Sequence, residues 1–318
     1  MEQPISLSWE SQIDKYRQRG MIIGDNDVEK LKNISYYRLK EFAAPLATYS
    51  NGDISYEGIH FKEVLARYYQ DKNLRIFLLH AIEKIEVSVK TRISYILGSN
   101  YGAFGYLNFS KWSNKDKYTK FHIEKIQIRI KKNLKKTVEK SQLSELKMKQ
   151  NHDEDGFPTV WLAIDLLMLG DIVSILGIMS ENNIRRVANY YDCTPAELIS
   201  WMKCLNFVRN VCAHNSNVID IQIGTKPKTR REWNDLIFMN KEVHKDNEFY
   251  KPTNKLAIVL IIIVKLVNQI NSKYQWTDIQ RSINSLCKKR DDRARLLGFK
   301  NLQSAQKVVS SIKKCNQL

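Results

Sequence analysis

Three side chains that could do chemistry lie close together in the chain: Arg209, Asn210 and His214. Arginine stays charged and binds a phosphate group through a planar fork of donors. Histidine titrates near neutral pH and can transfer a proton. The amide of asparagine both donates and accepts hydrogen bonds. Residues of these types, placed together, suit a reaction on a phosphodiester.

A helix must carry these residues, and the sequence marks where it begins. Thr194 and Glu197 form a capping box, with Pro195 at the first helical position. Apolar residues then recur at three- and four-residue spacing, which predicts one buried stripe along the helix. The stripe consists of Leu198, Met202, Leu205, Val208 and Cys212.

The same helix is predicted to end just after His214, because a polar run occupies 215–217. Asn210 and His214 are four residues apart and therefore share a helix face. Arg209 lies about 140° around the axis from His214, but its long side chain can reach toward that face. All three residues thus belong to the last turns of an otherwise apolar helix.

The chain contains a second arginine and histidine at the same spacing, Arg75 and His80. The bare spacing occurs by chance roughly once in a chain of this composition, so it is weak evidence by itself. The spacer of this copy is wholly apolar, and nothing after His80 ends the helix. We interpret it as a core helix with two flanking polar residues and place the chemistry at 209–214.

The segment Arg209-Asn210-Val211-Cys212-Ala213-His214 resembles the RN-x-x-A-H signature of HEPN ribonucleases, in the form carried by the Abi (abortive infection, AbiD/AbiF-like) family. Residues 34–39 resemble the YYRL segment of that family. Residues 158–170 resemble its helix that carries a proline, a tryptophan and an acidic residue before a glycine, and residues 297–299 resemble its C-terminal GF. The similarity spans most of the chain. Two departures are Asp165, which replaces the usual glutamate, and Asn215-Ser216, which replaces more basic residues.

This resemblance implies a metal-independent RNA endonuclease of a phage-defence system, with no cofactor. His214 is then expected to transfer a proton at the ribose 2′-OH or at the leaving oxygen. Arg209 would stabilise the phosphate charge of the transition state, and Asn210 would hold the histidine or the phosphate. Attack by the 2′-OH leaves a 2′,3′-cyclic phosphate, which DNA cannot form. Asp165 either orients His214 or Arg209 or lies at a surface edge.

One Arg/His pair provides few groups for in-line phosphoryl chemistry, which needs charge stabilisation and proton transfer on both sides of the phosphorus. In HEPN nucleases two such motifs face each other across a two-fold axis, so the resemblance implies a homodimer. The expected partners are therefore an RNA substrate and a second copy of the chain. A bound non-coding RNA is a further option.

The net charge of +17 favours a polyanionic partner, nucleic acid before membrane. Residues 111–150 hold thirteen Lys and Arg against four acidic residues, with intermittent apolar residues that predict a docked helix with a basic outer face. The RNA contacts expected there are Lys125, Arg129, Lys131, Lys132, Lys135 and Lys136. The alternative is a solvated charged face. A helix-turn-helix at 25–49 could also contact nucleic acid, although a packing subdomain is the favoured interpretation.

Several protein classes lack support in the sequence. There is no Walker A, G-x-S-x-G, HExxH or dinucleotide-binding fingerprint. Five cysteines without a C-x-x-C pair indicate neither a zinc site nor a disulfide framework. The long apolar run at 256–264 is too short to span a bilayer, and the N-terminus lacks a secretion signal. A cytoplasmic protein is expected. The alternative to a nuclease is an RNA- or DNA-binding module or regulator without nuclease activity.

The expected fold is all-α, with an antiparallel, HEPN-like bundle of long helices at 60–97, 114–149, 158–178 and 195–214. Further helices are predicted at 254–271, from 277 to about 297, and from about 302. The predicted domains are an N-terminal helical subdomain at 1–58, the bundle at 59–222 with its basic helix 111–150, and a C-terminal helical region at 223–318.

Overall fold

The computed structural model describes residues 5–50, 52–244 and 247–310. These ranges contain thirteen α-helices and two small antiparallel hairpins, so the predicted all-α class is confirmed. The helices are α1 Trp9–Arg17, α2 Val28–Asn33, α3 Tyr36–Ala43, α4 Phe61–Tyr101, α5 Lys120–Lys140, α6 Val160–Leu166, α7 Leu169–Ile178, α8 Glu181–Tyr190, α9 Pro195–Ala213, α10 Leu256–Ile270, α11 Thr277–Cys287, α12 Asp291–Leu296 and α13 Leu302–Ser310. The hairpins pair β1 Thr48–Ser50 with β2 Asp53–Ser55, and β3 Met239–His244 with β4 Asn247–Pro252.

The helix α4 is the axis of the fold. It is 41 residues long and carries an apolar residue every third or fourth position, as the sequence predicts. The helices α3, α6, α8, α9, α10 and α11 all pack against it. Its buried face therefore joins the N-terminal helices, the bundle and the C-terminal helices in one hydrophobic core, which runs from Ile13 to Val309.

The predicted helix 158–178 is two helices, which corrects the sequence interpretation. The chain is extended at Leu167 and Met168, and α7 begins again at Leu169. The extended residues Leu167 and Met168 are both apolar, so hydrophobic periodicity does not detect the break. Packing explains it: α6 lies against α4, whereas α7 lies against α9.

Two other predicted helices are also shorter than expected. The basic helix α5 covers 120–140 rather than 114–149. Turns of 3₁₀ helix follow it where the C-terminal part of the predicted helix was expected. The helix expected from 277 to 297 is divided between α11 and α12, with Lys288 and Lys289 in left-handed conformations between them. Only tertiary contacts distinguish these breaks from continuous helix.

The hairpin β3–β4 is absent from the sequence prediction. Its side chains are largely exposed on both faces, so the strands lack the alternation of polar and apolar residues that reveals a half-buried strand. Charged pairs join the two strands instead: Lys241 to Glu248 at 2.5 Å, and Lys251 to Glu242. These exposed pairs favour the register but contribute little to stability.

The helix α10 contains the long apolar run noted in the sequence, and nearly all of its side chains are buried. It packs against α4, α9 and α13, which identifies the run as core. In the described part of the chain no helix is both long and apolar enough to cross a membrane. Cys193, Cys204, Cys212 and Cys287 are free thiols, and Cys315 lies outside the described residues.

Candidate active site at the C-terminal end of α9

The helix that carries the motif begins as the sequence predicts. The Thr194 hydroxyl accepts a hydrogen bond from the Glu197 backbone N–H at 3.2 Å, and the Glu197 carboxylate accepts one from the Thr194 N–H at 2.8 Å. Pro195 occupies the first helical position. The predicted apolar stripe is buried along its whole length, between 0% and 3% exposed. This stripe fixes the rotation of α9 and therefore the direction in which its last polar residues point.

The three motif residues meet at the end of this helix. Arg209 and Asn210 are half-buried, and His214 is exposed at the C-cap. Arg209 Nη1 donates a hydrogen bond to Asn210 Oδ1 at 3.2 Å, so the arginine does reach toward the face shared by Asn210 and His214. The His214 backbone N–H donates to the Asn210 carbonyl at 2.9 Å. The last turns of α9 therefore carry a guanidinium, an amide and an imidazole at the same exposed end.

These side chains keep much of their bonding capacity for a ligand. Across residues 5–50, 52–244 and 247–310, Arg209 forms no ion pair with an acidic residue. Within the same ranges the His214 ring and the Asn210 amide nitrogen have no hydrogen-bond partner. The nearby Cys212 is not available for chemistry in the same way, because burial raises the pKa of its thiol to about 12. The thiol therefore stays protonated and is no nucleophile at neutral pH.

The segment after the motif is held by α4. Arg75, 7% exposed, donates from Nη1 to the side-chain oxygen of Asn215 at 2.7 Å and from Nε to Asp71 at 2.9 Å. The Asp71 carboxylate is fully buried and also accepts hydrogen bonds from the backbone N–H groups of Val218 and Ile219, at 2.7 and 3.2 Å. Burial raises the pKa of Asp71, while the Val218 N–H and the Arg75 charge act in the opposite direction. Two charged residues of α4 thus fix the chain just beyond His214.

Sequence reasoning missed this role for Arg75, which belongs to the discounted second copy of the spacing. A signal was present: Asp71 and Arg75 are four residues apart and share a helix face with the apolar residues Leu74 and Leu78, and buried opposite charges pair. The histidine of that copy faces elsewhere. His80 Nδ1 lies 2.7 Å from the Tyr274 hydroxyl, and the two rings stack at 5.6 Å. Arg75 and His80 therefore do not form a site together.

A comparison with protein-family models decides the family of the chain. The model described as Abi-like protein matches residues 29–220. This range covers more than half of the chain and includes α4, α9 and the motif. The chain belongs to the Abi-like protein family. No curated protein and no solved structure matches it.

Membership of the Abi-like family points to abortive infection, a form of phage defence. The matched range ends at Asp220, a residue that α4 also holds: Arg67 Nη2 donates to its carboxylate at 2.5 Å. The family match therefore contains the whole motif together with the segment that follows it. The hairpin β3–β4 and the helices α10 to α13 lie outside the match.

Asp165, the residue predicted to support the motif of this Abi-like protein, lies on α6 with an exposed side chain. Its backbone carbonyl accepts a hydrogen bond from Lys90 at 3.2 Å. No hydrogen bond or ion pair in the described ranges joins its carboxylate to Arg209 or His214. Of the two positions that the sequence left open, the structure shows the surface one.

The six basic residues expected to contact RNA fall into three groups. Arg129 is engaged within the protein, because it forms an ion pair at 3.2 Å with Asp171, which is 3% exposed, and donates to Ser174 at 2.7 Å. Arg129 therefore docks α5 on α7, although its side chain is still 48% exposed, and its role as an RNA contact stays a prediction. Lys131 and Lys135 lie over the Phe157 ring at 5.2 and 4.9 Å.

The third group is available to a ligand. Lys125, Lys132 and Lys136 are exposed and have no ion-pair or hydrogen-bond partner in the described part of the chain. Their spacing of seven and four residues places them on one face of α5. Phe121 and Ile128 flank this face and are 76% and 66% exposed. The outer face of α5 therefore combines unpaired positive charge with apolar side chains that could contact bases.

No group of three or more His, Cys, Asp or Glu side chains in the described residues is placed to hold a metal ion. The side chains at the end of α9 can supply proton transfer by the imidazole and charge stabilisation by the guanidinium. An exposed helix end can meet a large substrate such as RNA without a deep pocket.

Proposed function

We propose that this Abi-like protein is an endoribonuclease of an abortive-infection system and that the end of α9 is its active site. The observation that carries the proposal is the convergence of Arg209, Asn210 and His214 at one exposed helix end, with the first forming no acidic ion pair and the last unpartnered in the described ranges. A guanidinium without an acidic partner attracts a phosphodiester, and an exposed imidazole can exchange a proton with it.

The proposed reaction is a transesterification within the RNA strand. The ribose 2′ oxygen forms a bond to phosphorus, and the bond from phosphorus to the 5′ oxygen of the next nucleotide breaks. One imidazole takes the 2′-OH proton, and a second gives a proton to the leaving oxygen. Arg209 stabilises the added negative charge on the phosphate, and the Asn210 amide donates to the phosphate oxygen or holds the ring. The products are a 2′,3′-cyclic phosphate and a 5′ hydroxyl, and the proposal places no metal in this reaction.

Two imidazoles require two motifs, so the proposal includes a homodimer with a two-fold axis near His214. The surface of α4 beside the site supports this assembly. Tyr69 and Ile76 are seven residues apart on one face of α4 and are 44% and 58% exposed, and Ile76 directly follows Arg75. Exposed apolar residues on the helix that also holds Asn215 suit a subunit interface.

The face of α5 with Lys125, Lys132 and Lys136 is proposed to hold the RNA, substrate or bound non-coding RNA, through its phosphates. The competing function is a nucleic-acid-binding module without nuclease activity, which this same face would also serve. Cleavage, rather than binding, separates the two proposals.

The test is made on RNA from phage-infected cells that express the protein, because its activating signal is not encoded in the motif. Fragments should carry 2′,3′-cyclic phosphate ends in cells with the natural protein and lack them with His214→Ala. The purified active fraction should cut RNA in excess EDTA and fail to cut RNA with a 2′-deoxyribose at the cleaved position. RNA binding without new cyclic phosphate ends in infected cells would favour the non-enzymatic module.

A further inference from the structure

The direction of the chain after His214 is set by a left-handed residue. Asn215 has φ +58°, a conformation that only glycine and, less readily, asparagine adopt at low cost. The turn is closed by backbone hydrogen bonds from Asn215 to the Cys212 carbonyl at 3.3 Å and from Ser216 to the Val211 carbonyl at 3.0 Å. A small change at Asn215 therefore moves the imidazole of His214, which is its neighbour in the chain.

The side chain of Asn215 is exposed but is hydrogen-bonded to α4. Its oxygen accepts the hydrogen bond from Arg75, and Arg75 is itself bound to the fully buried carboxylate of Asp71. The same carboxylate binds the backbone at Val218 and Ile219. The turn is thus fixed on both sides, by α9 before His214 and by α4 after it.

A buried ion pair is a poor choice if stability alone is needed. Desolvation of two charges offsets most of their attraction, and apolar residues of similar size often stabilise a core as well. What a buried pair with hydrogen bonds at fixed angles does supply is a defined geometry. Arg75 offers donors in a rigid fork, which lets one side chain hold Asp71 and Asn215 together.

We propose that Arg75 is a positioning residue for His214: it sets the imidazole relative to Arg209 through Asn215. Asp71 orients Arg75 in turn. The inference rests on the proposed function for its catalytic consequence, whereas its structural part, that Arg75 sets the position of the His214 ring, can be tested whether or not RNA is the substrate. In this assignment Arg75 acts through the exposed motif at 209–214, whereas His80, which is bound to Tyr274, takes no part.

Arg67 provides a matched control on the same helix. It lies eight residues before Arg75 on the same face, is 4% exposed, and also holds the segment after the motif, through Asp220. Among the described residues, no hydrogen bond or ion pair joins Arg67 to Ala213 or Asn215. A variant of Arg67 therefore tests for the general loss of a buried arginine, without a change at Asn215.

The experiment compares Asn215→Gly, Arg75→Met and the control Arg67→Met in the full chain. Glycine keeps the left-handed backbone and removes only the acceptor for Arg75. The first readout is the ¹H–¹³C NMR signal of the His214 ring in protein labelled at histidine, assigned with His214→Ala. We expect a shifted or broadened His214 signal in Asn215→Gly and Arg75→Met, and an unchanged signal in Arg67→Met.

The second readout is RNA cleavage by the folded fraction. Asn215→Gly and Arg75→Met should each lower kcat at least tenfold with KM within twofold, and the double variant should lose no more than either single one. Arg75→Lys should behave like Asn215→Gly, since an ammonium group cannot bridge both partners. Arg67→Met should keep kcat within twofold.

The two readouts separate failure of this inference from failure of the proposed function. If the natural protein cuts no RNA, the NMR comparison still decides whether Arg75 positions His214. An unchanged His214 signal in Asn215→Gly, or an equal change in Arg67→Met, would overturn the inference. Should Arg75→Met not fold, Asn215→Gly and Arg75→Lys carry the test.

Discussion

The two copies of the Arg-x4-His spacing have opposite surroundings. Arg75 is 7% exposed and bound to Asp71 and Asn215, while His80 is bound to Tyr274. The guanidinium of Arg209 forms a hydrogen bond only to its neighbour Asn210 in the described ranges. His214 is exposed and its ring has no partner within them.

The difference shows that the spacing alone does not define a site. The copy at Arg75 and His80 lies in the middle of a 41-residue helix, where neighbouring helices use up its polar groups. The copy at Arg209 and His214 lies where α9 ends, so that its side chains face solvent and can meet a substrate. A helix end supplies both exposure and unsatisfied backbone groups, which the middle of a helix does not.

The largest expected effect comes from removal of the exposed copy. Arg209→Ala and His214→Ala should each lower RNA cleavage by about 100-fold or more, the contribution expected of a general acid–base or charge-stabilising group. Helical circular dichroism and thermal unfolding should stay near those of the natural protein, because neither residue belongs to the buried stripe. Cleavage retained in both variants would show that the end of α9 is not the active site.

A second comparison of free and engaged cations lies on α5. Replacing Lys125, Lys132 and Lys136 by alanine should weaken RNA binding about tenfold and flatten its dependence on salt, since three phosphate contacts are lost. The control removes the same charge elsewhere, by alanine at the exposed residues Lys30, Lys62 and Lys273.

Arg129 sharpens this test from within the same helix. Arg129→Ala should lower the free energy of unfolding by about 1–3 kcal/mol, because buried Asp171 loses its charged partner. It should leave the salt dependence of RNA binding unchanged. Equal salt slopes for the triple α5 variant and its control would mean that the free lysines are only a solvated face.

Subunit mixing tests whether one exposed copy is sufficient. If a site needs two motifs and subunits exchange freely, a one-to-one mixture with His214→Ala should keep roughly a quarter of the activity, because only that fraction of symmetric dimers has both histidines. Independent monomers would keep half. The measurement is the initial rate of RNA cleavage at fixed total protein, and a monomeric mass in the active fraction would contradict the composite site.

The smallest effect is expected at the histidine of the buried copy. His80→Ala removes one hydrogen bond and one stacking contact with Tyr274, so the free energy of unfolding should fall by about 1 kcal/mol. Cleavage by the folded variant should stay within twofold of the natural rate. A variant that folds but does not cut RNA would move the chemistry to α4 and reverse the comparison of the two copies.

The sequence by itself determined the parts of the fold that rest on local physics. The capping box at Thr194 and the apolar stripe of α9 are local patterns, and both are confirmed. The same holds for the long α4, predicted at 60–97 and observed at Phe61–Tyr101. The position of the motif at a helix end follows from the same signals.

Only the tertiary structure decided which polar groups remain free. Ion pairs such as those of Arg129 with Asp171 at 3.2 Å and Arg67 with Asp220 at 2.5 Å join residues 42 and 153 positions apart. The bond from Arg75 to Asn215 spans 140 positions. Periodicity and capping act over a few residues and cannot detect such pairs. Burial leaves a charge to be matched by whichever partner the fold brings close, so the same residue type is structural on one face and available for chemistry on another.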